Sequence, residues 1–339
     1  MESITFELAP TPPFRLDLTA WALRRRPHNA VDRWDGTNYE RVLVIDGKPV
    51  AVAVQEIRHR DASAPPRLRV TVTGRSIGAE VKRAVSESLA RMLGIHADLT
   101  GFYRLASRDR RLAGMVRRFR GVKPPRFPSA FEGVVNGIAC QQLSLTLGIH
   151  LLNRLAENFG VAWGTRDDRA HAFPRPRDLA GRTVEELRAL GLSNHKARAI
   201  IELSEAIVAR HLDLEALATL NDQEALARLL ELRGVGRWTA EYTLLRGLGR
   251  THIFPGDDVG ARHGVERWLG RRKPLDYAGL HRVLRPRQPY AGLIYFHMLM
   301  IGLDEQGWLA TSEKGHDFSR AEADQLSGSR RSSGAEPPL

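Results

Sequence analysis

The sequence predicts a chain of two structural units, an α+β N-terminal domain followed by an all-α domain. Two runs rich in β-branched residues, 41–45 and 49–54, flank the dipeptide Asp46-Gly47, which is typical of a β-hairpin. Residues 68–73 alternate apolar and polar side chains, which indicates a third strand, and apolar residues at helical spacing follow it. Because strands precede the helix, we expect an antiparallel sheet covered by a helix over residues 1–105.

The segment 106–128 is strongly basic and is predicted to connect the two units. Between Arg104 and Arg126 the chain carries nine basic residues and one acid, Asp109, and it ends in a proline-rich run. Charge of this density fits a solvated linker face, and it also fits a stripe that contacts phosphates. The residues themselves leave both interpretations open.

Beyond the connector, residues 129–310 are predicted to form the all-α domain. Apolar residues recur there at helical spacing, and capping boxes begin at Thr183 and Asn221. The segment 311–339 loses this periodicity and ends in a run of Ser, Gly and Arg, so we expect it to be disordered.

The amino-acid composition narrows the classes of protein to which this chain can belong. The 339 residues carry a net charge of +12, which favours a polyanionic partner such as nucleic acid. A single cysteine excludes an intramolecular disulfide, a cysteine-ligated iron–sulfur cluster and a cysteine-rich zinc site. The first residues lack a basic region followed by an apolar run, and no stretch of about 18 apolar residues occurs. We therefore expect a cytoplasmic protein without a membrane partner.

A glycine-containing turn between two predicted helices is the first candidate binding element. Gly234-Val235-Gly236 lets the backbone turn tightly and leaves free N–H groups at the start of the next helix, where a phosphate can bind. Arg237 adds a positive charge beside them. Turns of this kind also join helices that bind nothing, so the motif alone is weak.

Two adjacent carboxylates form the second candidate element. Asp257 and Asp258 follow a Pro-Gly turn and come just before another predicted helix. A carboxylate at this position ordinarily caps the helix. Because one helix start needs only one cap, the second acid is available for chemistry.

Three separated blocks of the sequence are informative together: 131–144 (FEGVVNGIACQQLS), 232–242 (LRGVGRWTAEY) and 255–258 (PGDD). In these blocks, and in their order, the sequence resembles the helix–hairpin–helix superfamily of DNA glycosylases, and within it the DNA-3-methyladenine glycosylase II branch of bacterial alkylation-repair enzymes. The resemblance covers about residues 10–308. The resemblance implies an antiparallel α+β domain followed by a helix–hairpin–helix glycosylase domain.

The resemblance also implies roles for single residues. Spacing from the hairpin aromatic matches Asp258 to the family's catalytic aspartate, with Asp257 as the reserve candidate and the expected helix cap. An ionised carboxylate there stabilises the positive charge that develops on the deoxyribose. Trp238 and Tyr242, four residues apart on one helix face, match positions that hold the flipped base. A cationic base would gain cation–π attraction from them.

Three further residues complete the implied site. Gln141 is expected to line the base pocket, and Gln142 is expected to fill the gap that the extruded nucleotide leaves in the duplex. Arg287 stands where the bacterial enzyme has a pocket tryptophan, and a cation there would oppose a cationic base, which leaves the lesion range open. Bifunctional members have a lysine at the position of Trp238, so we expect no strand cleavage through a Schiff base.

Together these implications predict a monofunctional glycosylase that excises alkylated purines, of the 3-methyladenine and 7-methylguanine class, from damaged double-stranded DNA. We expect a monomer that associates with the nucleoid if the source is bacterial. Two alternatives stay open: a glycosylase for hypoxanthine, uracil or an oxidised purine, and a non-catalytic DNA-binding protein. No cofactor is expected, apart from a sodium or potassium ion that the family hairpin can hold, here through the carbonyls of Leu230, Leu232 and Val235.

Overall fold

The structure is a computed structural model that describes residues 1–57, 64–165 and 168–309. In these ranges the first part of the chain forms a five-stranded antiparallel sheet. The strands are β1 (Glu2–Leu8), β2 (Arg33–Trp34), β3 (Asn38–Ile45), β4 (Lys48–Ile57) and β5 (Arg67–Gly74). They lie in the order β1-β5-β4-β3-β2, and each neighbouring pair is antiparallel.

The sheet confirms the predicted hairpin and adds a strand to it. Asp46 and Gly47 connect β3 to β4 with φ angles of 48° and 80°, which suit a two-residue hairpin turn. β1, which the sequence analysis missed, pairs with β5 along its whole length. It lies at the edge of the sheet, and its apolar residues alternate with polar ones but are only partly buried.

Two helices pack against the sheet, α1 (Leu16–Arg24) and α2 (Ala79–Leu93). α2 is the predicted helix, with Val85 and Leu89 buried on one face. α1 was not predicted, because most of its residues are buried and it has no clear polar face. Its Leu23 belongs to the core of the sheet, whereas its Trp21 belongs to the core of the C-terminal helices. α1 therefore links the two halves of the molecule.

About half of the basic segment predicted as a connector over 106–128 is helical, and the linker interpretation is corrected. α3 (Thr100–Arg108) and α4 (Arg110–Arg118) occupy it, and the expected boundary after residue 105 falls inside α3. Phe102, Leu112 and Met115 are buried in the same core as the last helices. Apolar residues three or four positions apart form this buried face, a pattern that the density of arginine conceals in the sequence.

The rest of the described chain is mainly helical. Its α-helices are α5 (Ala130–Cys140), α6 (Leu145–Phe159), α7 (Pro176–Leu179), α8 (Val184–Ala189), α9 (Asn194–Val208), α10 (Asp222–Leu230), α11 (Arg237–Arg246), α12 (Val259–Trp268), α13 (Tyr277–Leu284) and α14 (Ala291–Glu305). Strands β6 (Ala162–Trp163) and β7 (Ala170–His171) pair between α6 and α7. The capping boxes at Thr183 and Asn221 are both present.

The fold class predicted from the sequence, an α+β unit followed by a helical unit, is thus confirmed. The tail predicted over 311–339 lies outside the described residues. No helix in the described ranges has both the length and the apolar character that a bilayer crossing requires.

Small residues let α5 and α11 approach each other closely. A Cβ atom on Gly137 would lie 2.6 Å from Cγ2 of Thr239, so a larger residue would force the helices to shift. One turn earlier, a Cβ on Gly133 would lie 3.2 Å from Cα of Gly247. The close crossing brings the C-terminal end of α5 beside the turn that precedes α11.

A buried ionic network joins the sheet to α5. Arg41 on β3 has 2% of its side chain exposed and pairs with Asp32 at 2.7 Å and with Glu132 at 2.6 Å. The hydroxyl of Tyr39 donates to Asp32 at 2.7 Å. Burial raises the pKa of Glu132, and Arg41 opposes that rise. The guanidinium therefore holds two buried carboxylates in place between the halves of the molecule.

Candidate active site

The turn between α10 and α11 is the predicted hairpin. Gly234 has φ +74°, and a Cβ atom there would lie 2.7 Å from Cβ of Ala199. Gly236 caps α11 with an ordinary φ of −93°, and nothing lies within 4 Å of a Cβ built on it. The backbone conformation and the close neighbour therefore require glycine at position 234 but not at position 236. The open surroundings of Gly236 leave space for a ligand at the start of α11.

Replacing Gly234 with alanine is expected to lower the free energy of unfolding by about 1–3 kcal/mol, because alanine disfavours a positive φ. The substitution would also displace the hairpin and weaken DNA binding. Chemical denaturation and fluorescence anisotropy with a duplex measure the two effects. Gly236→Ala is the control, and we expect it to affect stability less. Equal stability of Gly234→Ala and the unaltered protein would contradict this prediction.

Asp258 is held on both carboxylate oxygens. Oδ1 accepts the backbone N–H of Ala261 at 2.9 Å, so Asp258 is the N-cap of α12. Oδ2 accepts Nε1–H of Trp238 at 3.2 Å and the hydroxyl of Tyr295 at 2.8 Å. The capping role that the sequence analysis assigned to Asp257 is therefore wrong: the residue matched to the catalytic aspartate is itself the cap, because it directly precedes α12.

Asp257 faces a different partner. Its two oxygens accept Nε and Nη2 of Arg237 at 2.7 Å and 3.1 Å. The guanidinium also lies over the ring of Tyr277, 3.9 Å from the ring centre. The charge of Arg237, which the sequence analysis assigned to a DNA phosphate, is thus already countered by an acid within the protein.

The predicted aromatic pair lies beside Asp258. The rings of Trp238 and Tyr242 stack with centroids 5.3 Å apart and planes 23° apart. Trp238 is partly exposed, whereas Tyr242 is buried and its hydroxyl accepts Nη1 of Arg25 at 3.0 Å. The structure therefore brings together Trp238, Tyr242 and Asp258.

The two glutamines at the end of α5 have different surroundings. Nε2 of Gln141 donates to the carbonyl of Gly234 and to the hydroxyl of Thr239, both at 2.7 Å, which ties α5 to the hairpin. Gln142 is exposed and has φ 55°, a conformation that turns the chain sharply after α5. Their roles toward DNA remain predictions.

Arg287 is not brought to Asp258. Its Nη2 donates to Asp109 at 2.6 Å, its Nη1 donates to the carbonyl of Val283 at 2.9 Å, and its guanidinium lies over the ring of Trp268. Asp109 is also the N-cap of α4. The expected place of Arg287 at the base pocket is not supported by these contacts, because its charge is paired with an acid on another element.

Two positioning groups were missed by sequence reasoning. Tyr295 comes from α14, and burial, together with the nearby carboxylate of Asp258, raises its pKa well above the usual value, so it stays a donor. Glu241 on α11 accepts the N–H of Gly256 at 2.9 Å and the hydroxyl of Tyr277 at 2.5 Å. Glu241 thereby holds the turn before Asp258 against α11. In the sequence, the only sign of this role was that the acid Glu241 directly precedes the aromatic Tyr242.

No group of His, Cys, Asp and Glu suited to a metal ion occurs in the described part of the chain. The main-chain carbonyls expected to hold a monovalent cation belong to the hairpin, where the carbonyl of Leu232 already accepts the N–H of Val235 at 3.1 Å. A carbonyl oxygen has two lone pairs, so this bond leaves one for a cation.

The sequence of this chain is similar to those of known DNA repair proteins. Residues 135–278 match the HhH-GPD superfamily of base excision DNA repair proteins. DNA-3-methyladenine glycosylase of Bacillus subtilis is 31% identical over 169 residues, which are 50% of this chain and 56% of that protein. A putative DNA-3-methyladenine glycosylase of the same species is 27% identical over 257 residues, covering 76% and 85% of the two chains.

The fold is also similar to that of a glycosylase whose structure has been solved. The 3-methyladenine DNA-glycosylase from Archaeoglobus fulgidus superposes with a TM-score of 0.74 at 26% identity, over 88% of this chain and 98% of that one. The match to the HhH-GPD superfamily covers residues 135–278, which is less than half of the chain. Within this superfamily, the resemblance to alkylation-repair glycosylases read from the sequence is confirmed. The chain spans a little over half the length of the first Bacillus subtilis relative.

Proposed function

We propose that this chain is a monofunctional DNA glycosylase that flips alkylated purines out of duplex DNA and hydrolyses their N-glycosidic bond with the help of Asp258. The substrate class is that of 3-methyladenine and 7-methylguanine, and the product is an abasic site that initiates base excision repair. The observation that carries the proposal is the placement of Asp258, whose Oδ2 is held by Trp238 and Tyr295 next to an aromatic pair.

The chemistry needs a fixed negative charge. Breaking the N-glycosidic bond leaves positive charge on the deoxyribose, and a carboxylate in place before the reaction stabilises that charge without reorganisation. The helix cap and the two side-chain donors fix the position of the Asp258 carboxylate. A base methylated at a ring nitrogen is already a cationic leaving group, so one carboxylate suffices.

The aromatic pair supplies the binding site for the base. Removing a base from the duplex costs a few kcal/mol. Stacking on aromatic side chains then holds the flipped base in the protein. Trp238 is partly exposed and borders Asp258, so a base stacked on it would present its glycosidic bond to the carboxylate. Cation–π attraction of about 0.5–2 kcal/mol favours methylated purines over normal bases.

Duplex DNA would contact the hairpin and the end of α5. The backbone N–H groups of Gly234, Val235 and Gly236 would bind phosphates, and the net charge of +12 supports attraction to the duplex. The exposed Gln142 would enter the gap left by the flipped nucleotide, with an amide in place of an aliphatic side chain. A monovalent cation on the carbonyls of Leu230, Leu232 and Val235 would brace this turn.

The experiment that tests the proposal is release of free bases from methylated duplex DNA, measured by chromatography. We expect the purified protein to release 3-methyladenine or 7-methylguanine. We also expect it to elute as a monomer in gel filtration. A panel of duplexes with hypoxanthine, uracil or 8-oxoguanine tests the alternative substrates. Tight DNA binding without release of any base would overturn the glycosylase proposal in favour of a non-catalytic binding protein.

The DNA strand itself is expected to stay intact after base release. Trp238 has no amine that could form a Schiff base with the sugar. An end-labelled duplex should therefore show cleavage only after alkali treatment, which breaks the strand at abasic sites. Cleavage without alkali, or covalent trapping of the protein on DNA by borohydride, would contradict the absence of lyase activity.

A further inference from the structure

Arg25 reaches the proposed base site from the N-terminal half of the chain. It caps the C-terminus of α1 with φ 62°, a conformation in which glycine is the usual residue. Its side chain is buried, with 4% of the residue exposed. The guanidinium is thus placed in the interior by a backbone conformation that most side chains avoid.

The hydrogen-bond partners of Arg25 are all neutral in the described ranges. Nη1 donates to the hydroxyl of Tyr242 at 3.0 Å, Nη2 to Oδ1 of Asn136 at 2.6 Å, and Nε to the carbonyl of Leu23 at 3.3 Å. The amide nitrogen of Asn136 donates to the carbonyl of Glu132, which turns its oxygen toward Arg25. No carboxylate is bonded directly to Arg25 in the described ranges, although the buried Asp32 and Glu132 lie close enough to interact with its charge.

A second buried cation lies on the same aromatic cluster. Arg246 on α11 is 1% exposed and donates to the carbonyl of Ala22 at 2.9 Å. Its guanidinium lies 5.8 Å from the ring centre of Tyr242 and 4.9 Å from that of Phe127. Arginine stays protonated even when it is buried. Tyr242 consequently has two permanent positive charges close to it.

These contacts determine how Tyr242 can use its hydroxyl. The oxygen accepts a hydrogen bond from Arg25, and this is the only hydrogen bond of the hydroxyl in the described part of the chain. The hydroxyl hydrogen therefore has no acceptor there. A hydroxyl whose oxygen accepts from a cation is a stronger donor, because the bonds polarise one another. Because Tyr242 is buried, its hydroxyl would meet an acceptor atom of a base only at the inner end of the proposed site.

We infer that Arg25 is a positioning residue that, through Tyr242, favours excision of neutral bases with a hydrogen-bond acceptor over excision of cationic bases. The inference rests on the proposed function, because Tyr242 meets a base only if the chain flips one. When the bond from C1′ to a neutral base breaks, its electron pair leaves with the base. The base becomes an anion, water adds to C1′, and the proton released by that water ends on the base.

The charge of the leaving base decides the effect of Arg25. The anion that forms from a neutral base is stabilised by the donor hydroxyl and by the positive charge behind it. A cationic methylated base leaves as a neutral molecule and is repelled by the same charge before the bond breaks. Arg25 therefore lowers the preference for cationic lesions that Trp238 and Tyr242 create by stacking.

The test compares two duplexes, one with hypoxanthine as the neutral base and one with 7-methylguanine as the cationic base. Single-turnover excision rates are measured for both on each protein preparation, so that the active fraction cancels in their ratio. We expect Arg25→Met and Tyr242→Phe each to lower the ratio of hypoxanthine to 7-methylguanine excision about tenfold or more. Arg25→Lys, which keeps the charge, should retain more of the ratio than Arg25→Met.

Arg24→Met is the matched control. Arg24 also lies on α1, but its side chain donates to the carbonyls of Trp34 and Pro27, so its loss should leave the ratio unchanged. An unchanged ratio in Arg25→Met would overturn the inference and leave the glycosylase function standing. If Arg25→Met does not fold, an unchanged ratio in Tyr242→Phe overturns it instead. If the unaltered protein releases neither of these bases nor 3-methyladenine, the proposed function and the inference are both overturned.

Discussion

Replacing Asp258 with asparagine is expected to lower the rate of base excision by about a hundredfold to a thousandfold. The variant loses the negative charge that would stabilise the deoxyribose cation. The side-chain oxygen of asparagine still caps α12 at the N–H of Ala261, but its amide nitrogen faces the two donors of Trp238 and Tyr295, so the free energy of unfolding should fall by about 1–3 kcal/mol. Single-turnover base release and chemical denaturation measure the two quantities.

Asp257→Asn is the matched control for this prediction. It removes an acid at the neighbouring position, whose ion pair with Arg237 is partly exposed. We expect excision to change little in this variant. Loss of activity in Asp257→Asn with full activity in Asp258→Asn would transfer the catalytic role to the reserve candidate. Equal excision by all three proteins would remove the carboxylate from the mechanism.

The DNA affinity of Asp258→Asn separates catalysis from binding. The hairpin and the exposed Gln142 are unchanged in this variant, so it should bind a lesion duplex as tightly as the unaltered protein does. Anisotropy titrations at several salt concentrations should give the same slope for both proteins. A parallel loss of affinity and excision would mean that Asp258 supports the hairpin rather than the reaction.

Replacing Arg41 with methionine is expected to lower the free energy of unfolding by about 3–5 kcal/mol. The substitution leaves Asp32 and Glu132 buried without the cation that holds both of them. Arg83→Met is the control, because Arg83 forms its ion pairs with 66% of its side chain exposed and should contribute little to stability. Denaturant midpoints of the two variants measure the difference.

The pH dependence of Arg41→Met gives a second measurement. Burial already raises the pKa of Glu132 in the folded state, and loss of Arg41 raises it further. The folded variant then binds more protons than the unfolded chain, so its stability falls as the pH rises through the pKa of the folded state. The variant should therefore recover part of its lost stability on acidification from pH 7 toward the range where Glu132 is protonated. Equal losses in Arg41→Met and Arg83→Met would contradict the role of the network.

Local patterns predicted much of the fold. The Asp46-Gly47 turn and the capping boxes at Thr183 and Asn221 depend on neighbours a few residues away, so the sequence displays them directly. The four-residue spacing of Trp238 and Tyr242 likewise placed both rings on one helix face. α1 was missed because most of its residues are buried, which leaves no polar face to mark the period.

The contacts that complete the candidate site are long-range. Tyr295 is 37 residues from Asp258, and Arg25 is 217 residues from Tyr242. No local spacing relates such pairs, since the packing of α14 and α1 against α11 and α12 brings them together. The misplacement of Arg287 has the same cause, because its partner Asp109 lies 178 residues away. Asp109 also belongs to the basic segment, whose charge made it resemble a linker.

The close crossing of α5 and α11 has a consequence for how a lesion would be found. Gly137 and Thr239 leave no free space between the helices at this crossing, so we expect the loop with Gln142 and the ring of Trp238 to keep their separation. In the proposed function, the residue that opens the duplex and the site that receives the base keep a fixed separation. Under that proposal no lid is required, and a damaged nucleotide would be selected by how readily it leaves the stack and spans this distance.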